Sequence, residues 1–72
     1  MEKTYYYDIN EFYNKIEDRD WYKNNEQNVL EIYKKNDIIV YKRWYQNRIL
    51  HRKNEPAIKR YYENGNIQAE YW

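Results

Sequence analysis

The sequence predicts an α+β fold: a short N-terminal strand and an amphipathic helix packed on an antiparallel β-meander of about four to five strands. Three observations carry this expectation. Apolar residues recur at helical spacing after residue 8, a Trp/Tyr/Asn pattern repeats from residue 21 onward, and Asn36-Asp37 and Asn64-Gly65 offer hairpin-turn chemistry. Seventy-two residues make one domain, 1–72, with 1–20 as a cap and 21–72 as two hairpin units. So small a core needs large side chains, and 11 Tyr, 3 Trp and 1 Phe supply them.

Tyr5-Tyr6-Tyr7 reads as a strand. Asp8 then suits an N-cap, with Glu11 completing an Asp-x-x-Glu capping box. Ile9, Phe12, Tyr13 and Ile16 follow at i, i+3, i+4 and i+7, predicting a helix over 8–17 that ends in Glu17-Asp18-Arg19-Asp20. A helix this short is marginal alone, so its apolar stripe must dock. The expected receiving face holds Leu30, Ile32, Ile39 and Tyr41.

Trp21-Tyr22-x-Asn24 recurs as Trp44-Tyr45-x-Asn47, and Tyr33, Asn36, Ile39 and Trp44 recur as Tyr61, Asn64, Ile67 and Trp72. The unequal spacing of these matches puts an insertion within 50–56. A two-residue type I′ turn at Asn64-Gly65 sets Arg60 against Ala69, Ile58 against Tyr71, Lys59 against Glu70 and Tyr62 against Ile67. The equivalent turn at Asn36-Asp37 sets Ile32 against Tyr41, Glu31 against Lys42 and Val29 against Trp44. Glu31–Lys42 and Lys59–Glu70 would then be one cross-strand charge pair with its signs exchanged.

Tyr61-Tyr62-Glu63-Asn64-Gly65-Asn66-Ile67 resembles the signature of MORN-type β-hairpin repeats in their second, shorter variant, and Trp44-Tyr45-x-Asn47-x-x-Leu50 is similar to the linking segment of such arrays. The resemblance covers 21–72. It implies antiparallel meanders serving as an interaction platform, and brings no catalytic residue. Where that pattern has Gly after Asn, this chain has Asn25, Asp37 and Arg48; the first two tolerate positive φ, whereas Arg48 does so poorly.

Composition narrows the chemistry. The chain has no Ser and no Cys, one Thr (Thr4), one His (His51) and one Gly, which removes activated hydroxyl and thiol nucleophiles, two-histidine metal sites and phosphate-cradling loops. No cofactor or metal is expected. A nuclease-like loop of His51, Arg52 and Glu55 is the residual enzymatic reading, and a solvated connector whose His bonds backbone is the plainer one. Without an h-region or a membrane-length apolar run, the chain is expected in the cytoplasm of its producer or of a host cell.

Charge is segregated beneath a formal net of +1: residues 1–31 are acidic and 32–60 strongly basic. In the basic-aromatic segment Tyr41-Lys42-Arg43-Trp44-Tyr45-Gln46-Asn47-Arg48, strand alternation puts Lys42 with Trp44 on one side and Tyr41 with Arg43 on the other. Tyr41, Arg43, Trp44, Tyr45, Arg48, Arg52 and Arg60 are the candidate binding residues, since Tyr, Trp and Arg anchor interfaces. The expected function is a non-enzymatic protein-binding module, of the type of a small phage or virus inhibitor of a host enzyme such as a defence nuclease (an anti-CRISPR-like protein). Its partner would then be a host protein or nucleoprotein complex. The alternative is a nucleic-acid binder using the segment 41–60. A sheet ending at Tyr71-Trp72 would also offer an edge strand to a second copy.

Overall fold

The computed structural model describes all 72 residues and is dominated by one six-stranded mixed sheet. The strands are β1 (Lys3–Asp8), β2 (Asn28–Lys35), β3 (Ile38–Gln46), β4 (Ile49–Leu50), β5 (Ile58–Tyr61) and β6 (Ile67–Tyr71). Their order is β1-β2-β3-β5-β6, with the stub β4 folded back on the end of β3. The meander is present from β2 onward. It is not the whole sheet, because β1 pairs with β2 in parallel, Lys3 beside Val29 through Asp8 beside Lys34. Parallel pairing obliges the chain to return across one face before β2 can start.

That return is the segment expected as an amphipathic helix, and no such helix forms. Residues Ile9–Tyr13 and Ile16–Asp18 make two separate 3-10 turns, followed by a single α-turn, α1 (Asp20–Lys23). Asp8 does cap: its Oδ1 accepts from the Asn10 amide at 2.9 Å. The closing hydrogen bonds, however, run only three residues, from the amides of Asn14, Asp18 and Arg19 to the carbonyls of Glu11, Lys15 and Ile16. Asn14 and Lys15 are extended and separate the two turns. Residues three apart also align in a 3-10 turn, so the spacing of Ile9 and Phe12 suits both geometries, whereas Ile16, four beyond Phe12, opens the second turn. Docking decides between them.

The first hairpin turn forms as expected, with positive φ at Asn36 (50°) and Asp37 (65°), the type I′ signature. Its register does not. A bulge at Val40 follows Tyr33, so Tyr33 faces Tyr41, Ile32 faces Lys42 and Glu31 faces Arg43. The one-residue slip removes the expected Glu31–Lys42 pair and turns Ile32 away from Tyr41. The last hairpin keeps the expected pairs Ile58–Tyr71, Lys59–Glu70 and Arg60–Ala69, and then shifts so that Tyr61 faces Ile67. Its turn is not type I′: only Gly65 has positive φ (90°), and the Gly65 amide bonds the Tyr62 carbonyl at 2.9 Å. This is a three-residue loop ending in a bulge glycine, with Asn64 Oδ1 accepting from the Asn66 amide.

A third tight turn joins β3 to β4, with positive φ at Asn47 (52°) and Arg48 (68°). Arg48 is poorly suited to that conformation. Its guanidinium offsets the strain locally: one nitrogen donates to the Tyr22 carbonyl at 2.7 Å, and the group stacks on the Tyr22 ring at 4.4 Å.

The core lies between the sheet and the returning segment. Trp21, Val29 and Tyr45 form its centre, with Tyr5, Tyr7, Ile16, Tyr22 and Leu50 packed around them. Phe12 lies edge-on against Tyr33 (5.5 Å) and Tyr41 (4.8 Å). The covered face therefore carries Val29, Tyr33, Tyr41 and Tyr45, and the expected Leu30, Ile32 and Ile39 belong to the other face or to the turn. Trp21-Tyr22, matched by sequence to the strand residues Trp44-Tyr45, sits in α1 instead.

Candidate binding surface

One carboxylate organises the covered face. Glu31 is fully buried; Trp21 Nε1–H donates to its Oε2 at 2.8 Å and the Tyr33 hydroxyl to its Oε1 at 2.6 Å. Arg19, also buried, places Nε 3.6 Å from Glu31 Oε2 and Nη1 3.7 Å from Glu11 Oε2, donates to the Glu11 carbonyl, and lies over the Tyr7 ring at 4.6 Å. Burial pushes the Tyr7 phenol up to about 12 and raises Tyr33 and Tyr45 further. Every Glu31 oxygen is engaged and out of solvent's reach. The group is a structural hub.

The returning segment shields β1, β2 and the near side of β3 but stops short of β5 and β6. Between its edge and those strands opens a cleft of about 390 Å³ lined by Ile9, Phe12, Tyr13, Tyr41 and Arg60. A neighbouring recess shares Ile9, Tyr41 and Arg60 and extends to Val40, Tyr62 and Gln68. Tyr13, Tyr62 and Tyr71 stand exposed around this opening. Register places Tyr41, Arg60 and Ala69 in one row across β3, β5 and β6, and the outer edge of β6 has no partner strand. Burial raises the Tyr41 phenol although Arg43 and Arg60 both act to lower it.

Arg60, which lines this opening, and Arg43, its diagonal neighbour on β3, lack an acidic partner. The cations in ion pairs are Lys3, Arg19, Lys35, Arg52 and Lys59; Arg43 and Arg60 are absent from that set. Arg60 stacks on Tyr41 at 5.8 Å and Arg43 lies between Phe12 (5.2 Å) and Tyr45 (5.3 Å), its Nε buried without a hydrogen-bond partner.

The seven sequence-predicted residues thus divide. Tyr41 and Arg60 come together at the cleft, and Arg43 lies against Phe12 of its wall. Tyr45 shares their face but is core, Trp44 is buried on the opposite face under Arg52 (3.9 Å), and Arg48 is spent on Tyr22. His51 is exposed and its side chain makes no hydrogen bond; only its amide bonds, to the Trp44 carbonyl at 3.0 Å. Arg52 pairs with Glu55 at 3.0 Å. Ile9, Phe12 and Tyr13 were legible only as a docking stripe, because nothing local reveals that the stripe overhangs an uncovered strand pair.

The opposite face carries lysines. Lys42 stands directly beside Lys59 on neighbouring strands, Lys34 lies over Tyr6 at 4.9 Å, and Lys42 over Tyr61 at 5.6 Å. Lys59 pairs with Glu70 at 3.9 Å, while Lys34 and Lys42 have no ion partner. No group of three or more His, Cys, Asp and Glu side chains converges, and no helix is long and apolar enough to cross a membrane. Comparison with protein-family models, with curated proteins and with solved structures gives no match.

Proposed function

We propose that this chain is a non-enzymatic protein-binding module that engages its partner through the cleft beside β5 and β6. One observation carries the reading: part of an aromatic face is left uncovered next to a free strand edge, with Tyr41 and the unpaired Arg60 lining a cleft and Tyr71 exposed on the same face. Tyrosine and arginine in partly desolvated pockets are the residues that anchor protein interfaces. The absence of a serine or cysteine nucleophile and the saturation of Glu31 favour binding over turnover. The MORN-like platform reading of 21–72 is part of this proposal, with hairpins turning at Asn36-Asp37 and at Asn64-Gly65. In its finer form the proposal is a small phage- or virus-type inhibitor that occludes a host enzyme such as a defence nuclease. The test is affinity capture with variants on each face. Tyr41→Ala with Arg60→Ala should lose a captured protein that Lys42→Ala with Lys59→Ala retains; capture indifferent to the cleft pair overturns the reading.

A second reading, a nucleic-acid binder, rests on the opposite face rather than on the segment 41–60 as a whole. Like charges directly opposite on adjacent strands are unfavourable, and Lys42 and Lys59 are so placed. An oligonucleotide affinity falling steeply with salt and abolished by Lys42→Ala with Lys59→Ala would favour it.

A further inference from the structure

We infer that the cleft recognises a carboxylate carried on an extended segment of the partner protein, with Arg60 as its ion partner and β6 as the strand to which that segment adds. The inference rests on the protein-binding reading above and specifies its chemistry.

Charge supplies the first step. The cleft itself is lined by Ile9, Phe12, Tyr13, Tyr41 and Arg60, with no acid among them. The one acid of the adjoining recess, Glu63, is engaged with Lys35 at 3.8 Å. Arg60 and Arg43 are diagonal neighbours on β5 and β3, since Tyr41 faces Arg60 and Arg43 faces Ile58. Two guanidiniums held on ring faces, with no carboxylate between them, make a local positive site. A guanidinium matches a carboxylate by two parallel hydrogen bonds.

Reach supplies the second. The row Tyr41–Arg60–Ala69 ends at the open edge. Ala69 contributes only a methyl group, so nothing long stands between Arg60 and a strand beyond β6. Such a strand would lie about 10 Å from β5, two strand spacings away. A Glu side chain opposite Ala69 and the Arg60 side chain span that gap together. The next row, Arg43–Ile58–Tyr71, offers the half-exposed Tyr71 ring to an aromatic or aliphatic neighbour of the acid. The bulge at Gln68 limits the regular edge to Ala69 onward, so the added strand is short.

A second copy of this chain is the competing occupant. Pairing two β6 edges with both aromatic faces on one side leaves the acid of β6, Glu70, on the other face with Lys59. Arg60 would then stay without an anion. A separate acidic segment satisfies it.

The probe is the blocked peptide Thr-Tyr-Thr-Glu-Thr-Tyr-Thr and its twin with Gln for Glu, titrated into ¹⁵N-labelled protein. The Glu peptide should shift the Ala69–Tyr71 amides and the Arg60 Nε–H, and bind at least about fivefold more tightly than the Gln twin. In Arg60→Gln, whose spectrum certifies the fold, that preference should vanish. Equal affinity of the twins, or a preference surviving in Arg60→Gln, overturns the carboxylate and leaves the protein-binding reading to the capture experiment. Failure of both peptides to shift β6 at millimolar concentration overturns strand addition. A dimer closed through β6, detected by sedimentation, makes a second copy the occupant and overturns the inference as well.

Discussion

The two ends of this sheet solve the same problem unequally. At one end β1 and β2 lie under the returning segment, and β2 holds Val29, Glu31, Ile32 and Tyr33 in near-complete burial. At the other, β6 has only Ala69 partly covered, and Ile67, Tyr71 and Trp72 are exposed. Both ends are strand pairs with aromatic residues, parallel at β1–β2 and antiparallel at β5–β6. What separates them is the second layer: a strand pair without one is marginal, and a strand pair beneath one becomes core. Tyr45 and Tyr71, which lie on the same face of the sheet, show it most clearly, at 4% and 49% exposure.

The largest expected effect falls on the covered end. Glu31→Gln keeps the shape but leaves Arg19 without its buried counter-charge and gives Trp21 and Tyr33 one acceptor oxygen between them. The expected loss is about 3–5 kcal/mol, a large part of the stability of so small a domain. Urea unfolding reads it. A loss under about 1 kcal/mol would mean that aromatic packing, and not the hub, holds the covered end.

Alkali should act on the same end. The phenols of Tyr7, Tyr33 and Tyr45 have raised pKa values in the folded chain, first through burial. Unfolding releases them to ordinary values near 10, so the unfolded state loses protons where the folded state keeps them. Their contribution is present in full below about pH 10 and is lost as pH rises toward about 12 and beyond. The urea midpoint should fall over that window, and Tyr45→Phe should flatten the fall. An unchanged midpoint would show these rings to be ionisable in place.

Turn substitutions sharpen the comparison at smaller magnitude. Gly65 has φ of 90° and open space where a Cβ would stand, so Gly65→Val is strained by backbone conformation alone, at about 1–3 kcal/mol. Asp37→Gly relieves the positive φ in the covered hairpin and should gain a few tenths of a kcal/mol at most, since Asp adopts that region readily. Thermal melts of both check the signs.

Much of the architecture was legible where local chemistry decides it. Asn36-Asp37 and Asn64-Gly65 mark the hairpins, Lys59 meets Glu70, and alternation correctly separates Tyr41 and Arg43 from Lys42 and Trp44. What was not legible depends on distant partners. The bulge at Val40 moves the register by one, and the turn residues give no sign of it. Parallel pairing of β1 is a long-range choice that the local spacing does not announce, and the crossover it requires is made of two 3-10 turns and one α-turn where the spacing predicts a helix. Glu31, alternating with Leu30 and Ile32 in sequence, gives no sign that Trp21 and Arg19 will bury it. The cleft is half legible: the sequence marks Tyr41 and Arg60 as binding residues, while its other wall, Ile9, Phe12 and Tyr13, reads only as a docking stripe.

The smallest effect on stability is the most informative for function. Arg60 is exposed, makes no ion pair and rests on the Tyr41 ring. An exposed cation–π contact contributes about 0.5–1 kcal/mol, so Arg60→Gln should shift the urea midpoint only slightly. The uncovered end has no layer above it to disturb, and amide exchange across β5 and β6 should stay as fast in the variant as in the parent. Partner binding should nevertheless be lost, because the guanidinium is among the few groups at the cleft with unmet hydrogen-bonding capacity. A variant that loses stability as heavily as Glu31→Gln would show Arg60 to be a structural residue, and the two ends of the sheet would be alike after all.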